Sequence, residues 1–563
     1  MRLARWAPPT LALFTAVLGV VNIVSALTPE QANRLSALRG AIPLTVSHAA
    51  SAATAVVGLV LVMLAHGLRR RKRRAWRTAV VLLLVSTAFH LVKGLDVEEA
   101  GVTFLLALLL VMLHREFYAA GDPTTRWRAP LALIGMLAAS VVLGIGLLAA
   151  QSENISGSPS VASRLQEVLY GLVGVGGPLH FTSEKTSDLV FGVLLALGIA
   201  TVLVPTYLLL RPPEPAARLT PRDEERLRAL LGQHGRRDSL AYFALRNDKA
   251  AVFSATGKSA ISYRVVSGVM LASGDPIGDP EAWPGAIREF VRRAHEHAWI
   301  PAVIGCSELG GEVWVREAEL RALELGDEAV VFVADFTLDG RAMRNVRQTV
   351  NRAAKLGYTT EVRRTGDLSA LEVAALRAQA ASWRGAEVER GFSMALGRVA
   401  DPADPDCVIV TASREGRLHG VLQFVPWGSD GLSLDVMRRD RAADTGLNEL
   451  MIVRLLDMAQ SMGLCRLSLN FTVFRSTLDR GGRLGAGPIL RVWRGLLLFA
   501  SRWFQIESLY RFNAKFRPVW EPRFVCYPAG RDIPRVAIAA LEAEAFITHP
   551  VHWRVFRRTP VPS

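Results

Sequence analysis

The segment 434–471 holds residues whose types and order suggest chemistry. It reads LDVMRRDRAADTGLNELMIVRLLDMAQSMGLCRLSLNF, which predicts a strand, a polar loop, a long helix closed by Gly463 and a second strand. Because the free amides at the start of a helix bind anions, a loop in this position could hold a phosphate group. However, the loop 441–448 has one glycine, Gly446, and places the acidic Asp444 where a phosphate would lie. A cofactor with a pyrophosphate group is therefore expected to fit poorly.

The order of these elements resembles the core of the Gcn5-related acetyltransferase fold. In that fold the amides of the loop bind the pyrophosphate of coenzyme A. Here Asn448 stands where the second small residue of that loop should be. The alternative interpretation is an ordinary helix start capped by Thr445 or Asp444. Both interpretations argue against coenzyme A, so the acyl group must come from another donor.

The first third of the chain is strongly apolar. The 563 residues are long enough for two to four domains, half of them are hydrophobic, and the mean hydropathy is +0.25. Apolar runs near the length of a membrane span occur at 8–27, 43–67, 77–94, 101–114, 129–150 and 188–210. We expect a transmembrane domain of about six helices at 1–210, followed by a soluble α/β part.

Basic residues predict the orientation of this domain in the cell membrane. The start MRLAR and the second loop, HGLRRRKRRAWR at 66–77, are basic, whereas 93–100 is acidic overall. By the positive-inside rule the N-terminus and the C-terminal domain face the cytoplasm of a multi-pass protein. Cleavage of the first segment after Ala26 is an alternative, but its long apolar region favours a retained helix.

Charge and cysteine content narrow the classes of partner. The net charge of +15, with a pI of about 10.2, predicts polyanionic partners such as anionic lipid head groups or nucleic acid. The four cysteines, at 306, 407, 465 and 526, are widely spaced. This spacing favours reduced, mostly buried thiols over a zinc site or a disulfide framework.

The soluble part divides into a linker and two similar halves. Residues 211–240 predict a charged linker helix that starts at Thr220-Pro221. A first acyltransferase-like lobe is expected at 241–365, beginning with a strand in SLAYFALR at 239–246. A second lobe at 366–563 would carry the active site. The predicted fold class is a helical membrane part followed by a cytoplasmic α/β domain with a tandem Gcn5-related acyltransferase fold.

Several short motifs of this soluble part occur together in a known family. They are Tyr242-Phe243 with Asp248-Lys249, Gly274-Asp-Pro, Arg344-Asn345, Ser382-Trp383, Phe392-Ser393, Leu434-Asp-x-Met-Arg438 and KFRPVWEPR at 515–523. Over about 215–550 the chain resembles the aminoacyl-phosphatidylglycerol synthases, the family of the multiple peptide resistance factor. It looks like a short form, without the flippase block or the lysyl-tRNA synthetase module of some relatives.

The resemblance implies transfer of an aminoacyl group from charged tRNA to the glycerol hydroxyl of phosphatidylglycerol. This would lower the negative charge of the membrane and give resistance to cationic peptides. The implied partners are aminoacyl-tRNA, phosphatidylglycerol and other membrane lipids, with a homo-oligomer left open. No cofactor and no metal is expected, because the donor is already an activated ester. Lysine is the favoured amino acid, although the sequence does not reveal the pocket that selects it.

The resemblance also assigns roles to individual residues. Asp435 would orient the aminoacyl amine or assist the lipid hydroxyl, and Arg438 would hold a phosphate. Lys515 and Arg517 would bind the lipid phosphate or stabilise the oxyanion. For Asp435 and Arg438 the alternative is a structural ion pair, and for Lys515 and Arg517 it is a solvated loop.

Further candidates come from the surrounding elements. Asn470 ends a core strand and could reach the substrate. The cations Arg344, Arg352 and Lys355 fall near one face of a predicted helix and suit tRNA phosphates, or else are simply solvated. Asp275 lies in a turn that the resemblance places near the active site. The segment 489–504 is either an interfacial membrane helix or a buried amphipathic one.

Two other functions remain open from the sequence. One is an N-acyltransferase that uses coenzyme A, which the loop at 441–448 argues against. The other is a lipid flippase or transport protein with a regulatory soluble domain, which the scarcity of charge in the apolar runs argues against.

Overall fold

The computed structural model describes residues 2–27, 44–94, 97–119, 128–210, 215, 217–385, 391–473 and 506–547. They form two compact units. One comprises Met1–Pro213 with His295–Ala298, and the other comprises Glu214–Ala294 with Trp299–Ser563. The predicted segment 489–504 lies outside the described residues.

The first unit is built from helices. They are α1 (Arg2–Leu27), α2 (Leu44–Arg69), α3 (Arg73–Gly94), α4 (Val97–Met112), α5 (Arg128–Ala150), α6 (Val161–Leu172) and α7 (Glu184–Leu210). Helices therefore occupy all six predicted apolar runs, and α6 is additional. Among the described residues, three helical stretches are long and apolar enough to cross a membrane: Ala7–Val24, Pro130–Ala150 and Glu184–Leu208. The apolar helices Val56–Arg69 and Ala100–Met112 are shorter, so a count of six spans stays a prediction.

Small and hydroxyl residues join these helices. A Cβ atom on Gly58 would lie 2.5 Å from the carbonyl oxygen of Gly19, so glycine permits the close contact of α1 and α2. The buried hydroxyls of Ser140 and Thr201 are 2.8 Å apart and link α5 to α7. Such contacts suit helices in lipid, where apolar burial alone gives little association energy.

The second unit begins with the predicted helix, α8 (Pro221–His234). The Thr220 hydroxyl accepts a hydrogen bond from the backbone N–H of Asp223, which caps the helix as predicted. Leu227, Leu230 and Leu231 are buried in a core cluster of this unit, and each contributes roughly 1.5–3 kcal/mol by leaving water. The predicted linker is therefore a packed part of the unit.

The segment that follows α8 corrects one prediction. SLAYFALR forms no strand, and a short 3-10 helix spans Ala241–Leu245 instead. Its residues alternate too little for a strand, because Ala241, Phe243, Ala244 and Leu245 are all buried.

Within the described residues, twelve strands form one continuous sheet. They are β1 (Ala250–Phe253), β2 (Ser259–Val266), β3 (Val269–Ser273), β4 (Ile277–Gly278), β5 (Ile300–Cys306), β6 (Arg321–Phe332), β7 (Thr359–Arg364), β8 (Val408–Arg414), β9 (Arg417–Trp427), β10 (Gly431–Arg439), β11 (Arg466–Val473) and β12 (Val519–Tyr527). Their order is β1-β2-β3-β5-β12-β6-β11-β10-β9-β8-β7, and β4 pairs with β2. All neighbours are antiparallel except the parallel pairs β3–β5 and β10–β11.

The two lobes exchange strands at the centre of the sheet. β12, from the end of the chain, lies between β5 and β6, and β6 pairs on its other side with β11. β7, which precedes residue 366, pairs with β8 of the second lobe. The predicted boundary between 365 and 366 is therefore not a boundary of the sheet, because strand pairing joins distant parts of the chain.

Helices cover both faces of the sheet. They are α9 (Trp283–Glu296), α10 (Glu308–Ala318), α11 (Arg344–Lys355), α12 (Ala370–Arg384), α13 (Leu447–Ala459), α14 (Ile506–Ala514) and α15 (Ile533–Ala543). On one face of the sheet, α11 and α13 pack with Leu422, Phe424 and Leu434 in one core cluster. Ile409 and Val421 point to the opposite face and pack with α12.

Candidate active site

The parallel strands β10 and β11 separate after a short pairing. Their ladder joins Gly431–Ser433 to Arg466–Ser468 and, within the described residues, ends there. Beyond it the side-chain amide of Asn470 donates a hydrogen bond to the carbonyl oxygen of Leu434. We call this opening, bounded by Leu434, Asp435 and Asn470, the strand cleft. Asn470 has a φ of +70°, a conformation that asparagine tolerates better than most residues.

A β-bulge places Asp435 at the edge of the strand cleft. Leu434 pairs with Phe424 and Val436 pairs with Gln423, so the register of the ladder shifts by one residue at Asp435. The extra residue turns the Asp435 side chain toward the face on which Gln423 and helix α12 lie.

The carboxylate of Asp435 is held by two donors. The backbone N–H of Leu396 donates to Oδ1 at 2.8 Å, and the Gln423 side-chain amide donates to Oδ2. Gln423 is buried, and its carbonyl oxygen accepts a hydrogen bond from the backbone N–H of Ala400 at 2.7 Å. Because each donor bonds a different oxygen, the two hydrogen bonds fix the plane of the carboxylate.

Arg438 lies on the same face as Asp435. Its Nη1 donates to the carbonyl oxygen of Ala380 in α12 at 3.1 Å. The two residues predicted to act together thus share one side of the sheet.

Lys515 lies on the other face, where α13 and α14 pack. Its Nζ is 2.7 Å from Oε1 of Glu449, in the first turn of α13. The Glu449 side chain is 11% exposed and that of Lys515 is 45% exposed, so the cation reaches solvent while its partner does not. Asp435 and Arg438 therefore lie on one face of the sheet and Lys515 lies on the other.

The start of α13 is neither a phosphate-binding loop nor a helix start capped by a side chain. Gly446 is the first cap residue, with a φ of +99°, and no side chain caps the helix, so neither Thr445 nor Asp444 does so. Asp444 instead accepts hydrogen bonds from the Tyr358 hydroxyl at 3.1 Å and from Arg414 at 3.4 Å.

Helix α11 packs directly against that start. A Cβ atom on Gly446 would lie 2.4 Å from the methyl carbon of Thr349 in α11. The covered helix start and the carboxylate of Asp444 do not fit a pyrophosphate group.

The other cations predicted to bind substrate are exposed. Arg344, Arg352 and Lys355 lie on the solvent side of α11, and Arg517 is exposed with a φ of +51° just after Lys515. Their placement agrees with a surface for a polyanion.

Comparison with known proteins covers most of the chain. The sequence model described as phosphatidylglycerol lysyltransferase, C-terminal, matches residues 228–527. The chain belongs to the phosphatidylglycerol lysyltransferase family. Residues 3–208 match a second model, described as the transmembrane region of lysyl-tRNA synthetase. The resemblance inferred from the sequence motifs is thus confirmed, and the chain is a membrane protein of a transferase family.

Individual relatives of this lysyltransferase-family chain are much longer. The lysylphosphatidylglycerol biosynthesis bifunctional protein LysX of Mycobacterium leprae is 42% identical over 505 residues, which cover 87% of this chain and 44% of the relative. LysX of Mycobacterium avium is 40% identical over 562 residues, which cover 97% of this chain and 47% of the relative. The chain spans about half the length of the curated relatives it matches.

A solved structure shares the fold of the second unit. L-PGS from Bacillus licheniformis superposes with a TM-score of 0.51 and 22% identity, covering 60% of this chain and 99% of that protein. The predicted fold class, a helical membrane part followed by an acyltransferase-like α/β part, is confirmed.

One predicted site residue of this lysyltransferase-family chain belongs to the first lobe. Asp275 is buried in the first lobe, where it accepts hydrogen bonds from the backbone N–H of Ser307 at 2.8 Å and from the Ser307 hydroxyl at 2.5 Å. Burial, and then the nearby carboxylate of Asp238, raise the pKa of Asp275 to about 7. The contacts of Asp275 anchor the start of α10.

A buried ion cluster lies at the exchanged strands and was not predicted from the sequence. Arg523 of β12 pairs with Asp238 at 2.8 Å and with Glu328 of β6, and all three are nearly inaccessible to solvent. Glu328 also accepts from the Ser468 hydroxyl of β11. A charged residue within an apolar strand sequence, such as Glu328 in EAVVFV, could have indicated a buried ion pair.

The segment that positions Asp435 has its own buried anchors. Glu544 accepts hydrogen bonds from the backbone N–H groups of Phe392 at 2.6 Å and Ser393 at 3.0 Å. The fully buried Lys249 lies 4.7 Å above the Phe392 ring, and burial followed by the charge of Arg246 lowers the pKa of Lys249 to about 7. The motifs Asp248-Lys249 and Phe392-Ser393 are visible in the sequence, but the sequence does not reveal that they are in contact.

Proposed function

We propose that this chain transfers an aminoacyl group, with lysine favoured, from aminoacyl-tRNA to the glycerol hydroxyl of phosphatidylglycerol. The family description and the names of the LysX relatives support lysylphosphatidylglycerol as the product. The observation that carries the proposal is the opening between β10 and β11, with the Asp435 carboxylate fixed at its edge and Arg438 on the same face of the sheet.

The reaction is a transesterification. The glycerol oxygen attacks the ester carbonyl carbon, and the bond between that carbon and the ribose oxygen of tRNA breaks. The proton of the glycerol hydroxyl ends on the ribose oxygen. The reaction balances without an oxidant, a reductant or a nucleotide triphosphate.

The face with Asp435 suits the lipid. Asp435 would accept the proton of the attacking hydroxyl, and its two fixed hydrogen bonds keep the carboxylate in place. Arg438 would hold the lipid phosphate, since a guanidinium presents several N–H donors in one plane.

The opposite face suits the aminoacyl end of tRNA. Lys515 would stabilise the negative charge that develops on the ester oxygen. Glu449 holds its ammonium group in position from a nearly buried site. Arg517 and the exposed cations of α11 would bind tRNA phosphates without reading sequence.

The membrane unit would bring this chemistry to its lipid substrate. The basic loop at 66–77 supports a cytoplasmic C-terminal domain, which is the side on which charged tRNA is available. Replacing an anionic head group with one that carries added amines would lower the negative charge of the membrane and weaken the binding of cationic peptides.

The test uses membranes that contain the full chain. Each radiolabelled aminoacyl-tRNA is added in turn, and the extracted lipids are separated by chromatography. Label from lysyl-tRNA in a lipid that appears only when phosphatidylglycerol is present is the expected result. Folded wild-type protein that labels no lipid from any aminoacyl-tRNA would overturn the proposal.

A further inference from the structure

Helix α6 enters the membrane beside α7 without crossing it. A Cβ atom on Gly198 of α7 would overlap the carbonyl oxygen of Leu172, the last residue of α6, so the two residues are in direct contact. Gly198 comes 14 residues after the start of α7 at Glu184, which is about 21 Å along the helix axis. Because α7 is long and apolar enough to cross a membrane, and the hydrocarbon core of a bilayer is about 30 Å thick, α6 ends deep inside that core.

The chain then returns to the side from which α6 entered. The backbone N–H of Leu179 donates to Oε2 of the buried Glu167 in α6 at 2.9 Å, so residues 173–178 run back along the helix. The backbone N–H of Thr182 then donates to the carbonyl oxygen of Asn154, just after the end of α5, at 2.9 Å. We call residues 173–178 the return segment, and α6 together with this segment forms a re-entrant hairpin.

Several backbone groups of the return segment make no hydrogen bond with any described residue. They are the N–H groups of Gly176 and Gly177 and the carbonyl oxygens of residues 173–177. Gly176 is exposed, and Val173 is 59% exposed. Lipid tails cannot bond to these groups, and irregular backbone persists at this depth only where protein covers it or where it lines a water-filled cavity. The return segment therefore needs a cover other than lipid.

An apolar stripe on α6 continues the uncovered surface. Val161, Leu165, Leu169 and Val173 follow one another at intervals of four residues, which places them on one face of the helix and its end. Their exposed fractions are 80%, 38%, 43% and 59%. The opposite face, which includes Val168, packs against α5 and α7. The uncovered surface is therefore apolar along α6 and rich in hydrogen-bonding backbone along the return segment.

We infer that a second copy of this chain covers the hairpin, so that two return segments meet across a two-fold axis in the membrane. Each segment offers both donors and acceptors, and two antiparallel copies of one such segment can satisfy each other. Gly176 and Gly177 have no side chains, which lets the two backbones approach closely. Pro178 has no N–H group that would be left unpaired where the segment ends. The inference concerns the membrane unit and does not depend on the proposed function.

Cysteine cross-linking tests the contact in membranes that contain the full chain. All variants carry Cys465→Ser, because Cys465 is exposed while the other three cysteines are buried. With copper phenanthroline as a membrane-permeant oxidant, we expect Val173→Cys to give about tenfold more covalent dimer than Val142→Cys, because a specific contact raises the local thiol concentration. Val142 is 70% exposed on α5 and serves as the control for random collisions.

A matched pair of glycine variants tests the close approach of the two backbones. A Cβ atom on Gly176, or on Gly192 of α7, would meet open space, so leucine fits at either position within one chain. Adding Gly176→Leu to Val173→Cys should lower the yield of covalent dimer about tenfold, because the new side chains hold the backbones apart. Adding Gly192→Leu should leave the yield unchanged. A single symmetric elution peak in detergent shows that each variant is folded.

The remaining outcomes are decisive. Equal dimer from Val173→Cys and Val142→Cys in folded protein would overturn the inference, as would an equal effect of the two leucine variants. Rapid reaction of Val173→Cys with a water-soluble maleimide, without dimer, would show that water lines the return segment and would also overturn it. A cross-linked product whose mass is not that of two copies would assign the surface to another protein. Lipid labelling is measured in the same membranes, and labelling without dimer would refute this inference alone.

Discussion

Gln423 holds Asp435 by its amide nitrogen while its carbonyl oxygen accepts from the backbone N–H of Ala400. A buried glutamine thus connects the bulge in β10 to the segment after residue 391. Because both ends of the amide are engaged, the nitrogen must face the carboxylate. The geometry holds the Asp435 carboxylate in a fixed orientation.

Asp435→Asn should lower lipid labelling about 100-fold or more, because the amide cannot accept the proton of the hydroxyl. Its new N–H groups would also face the amide of Gln423. The measurement is the initial rate of labelled-lipid formation at saturating lysyl-tRNA. Asp406→Asn changes an exposed aspartate of the same lobe and should keep the wild-type rate. Near-normal labelling by Asp435→Asn would refute the assigned role.

Lys515→Met should lower the labelling rate about 100-fold through loss of oxyanion stabilisation. It also leaves the carboxylate of Glu449 without its lysine partner, so a loss of stability of about 1 kcal/mol is expected. The double variant Lys515→Met/Glu449→Gln separates the two effects. It should recover the thermal midpoint in detergent but not the labelling rate, whereas recovery of both would show that Lys515 is structural.

Neutralising the exposed face of α11 should weaken the use of tRNA. With Arg344, Arg352 and Lys355 changed to Gln, KM for lysyl-tRNA should rise, and the slope of its logarithm against log salt should fall by about two. The rate at saturating tRNA should stay near wild type. Three exposed arginines of the first lobe serve as a charge-matched control, Arg288→Gln, Arg292→Gln and Arg316→Gln. An equal change in both triple variants would show that only net charge matters.

Asp275→Asn should change how stability depends on pH. The folded chain raises the pKa of Asp275 to about 7, so between about pH 4 and pH 7 it keeps a proton that the unfolded chain has lost. The stability from this group is complete below pH 4 and is lost as pH rises to 7, by up to about 1.4 kcal/mol per pH unit.

Denaturation midpoints at pH 4.5 and pH 7 check this. The difference between the two midpoints should shrink in Asp275→Asn and stay unchanged in Asp406→Asn. An unaltered difference in Asp275→Asn would contradict the raised pKa.

Short sequence patterns predicted where individual helices begin. The helix after Gly446 and the capped helix at Thr220 both begin where the sequence placed them, although the first ends at Ala459 and not at Gly463.

The exchange of β6 and β12 could not be predicted in this way. Pairing between strands that lie about 200 residues apart produces no periodic pattern in the sequence. The ion pair of Arg523 and Glu328 forms only because β12 and β6 are neighbours in the sheet. Family resemblance predicted that Asp435, Arg438 and Lys515 belong to one site. The sequence did not reveal that Lys515 lies on the opposite face of the sheet from the other two.

The exchanged strand has a consequence for synthesis of the chain. β5 is complete at Cys306, but its partner β12 begins only at Val519. At ordinary translation rates the intervening stretch of roughly 200 residues takes about 10–40 s to emerge. During that time the first lobe has an open, apolar strand edge on the ribosome, which is a template for aggregation. A nascent chain of this design would depend on a chaperone, or on its already inserted membrane helices, to keep that edge apart from others.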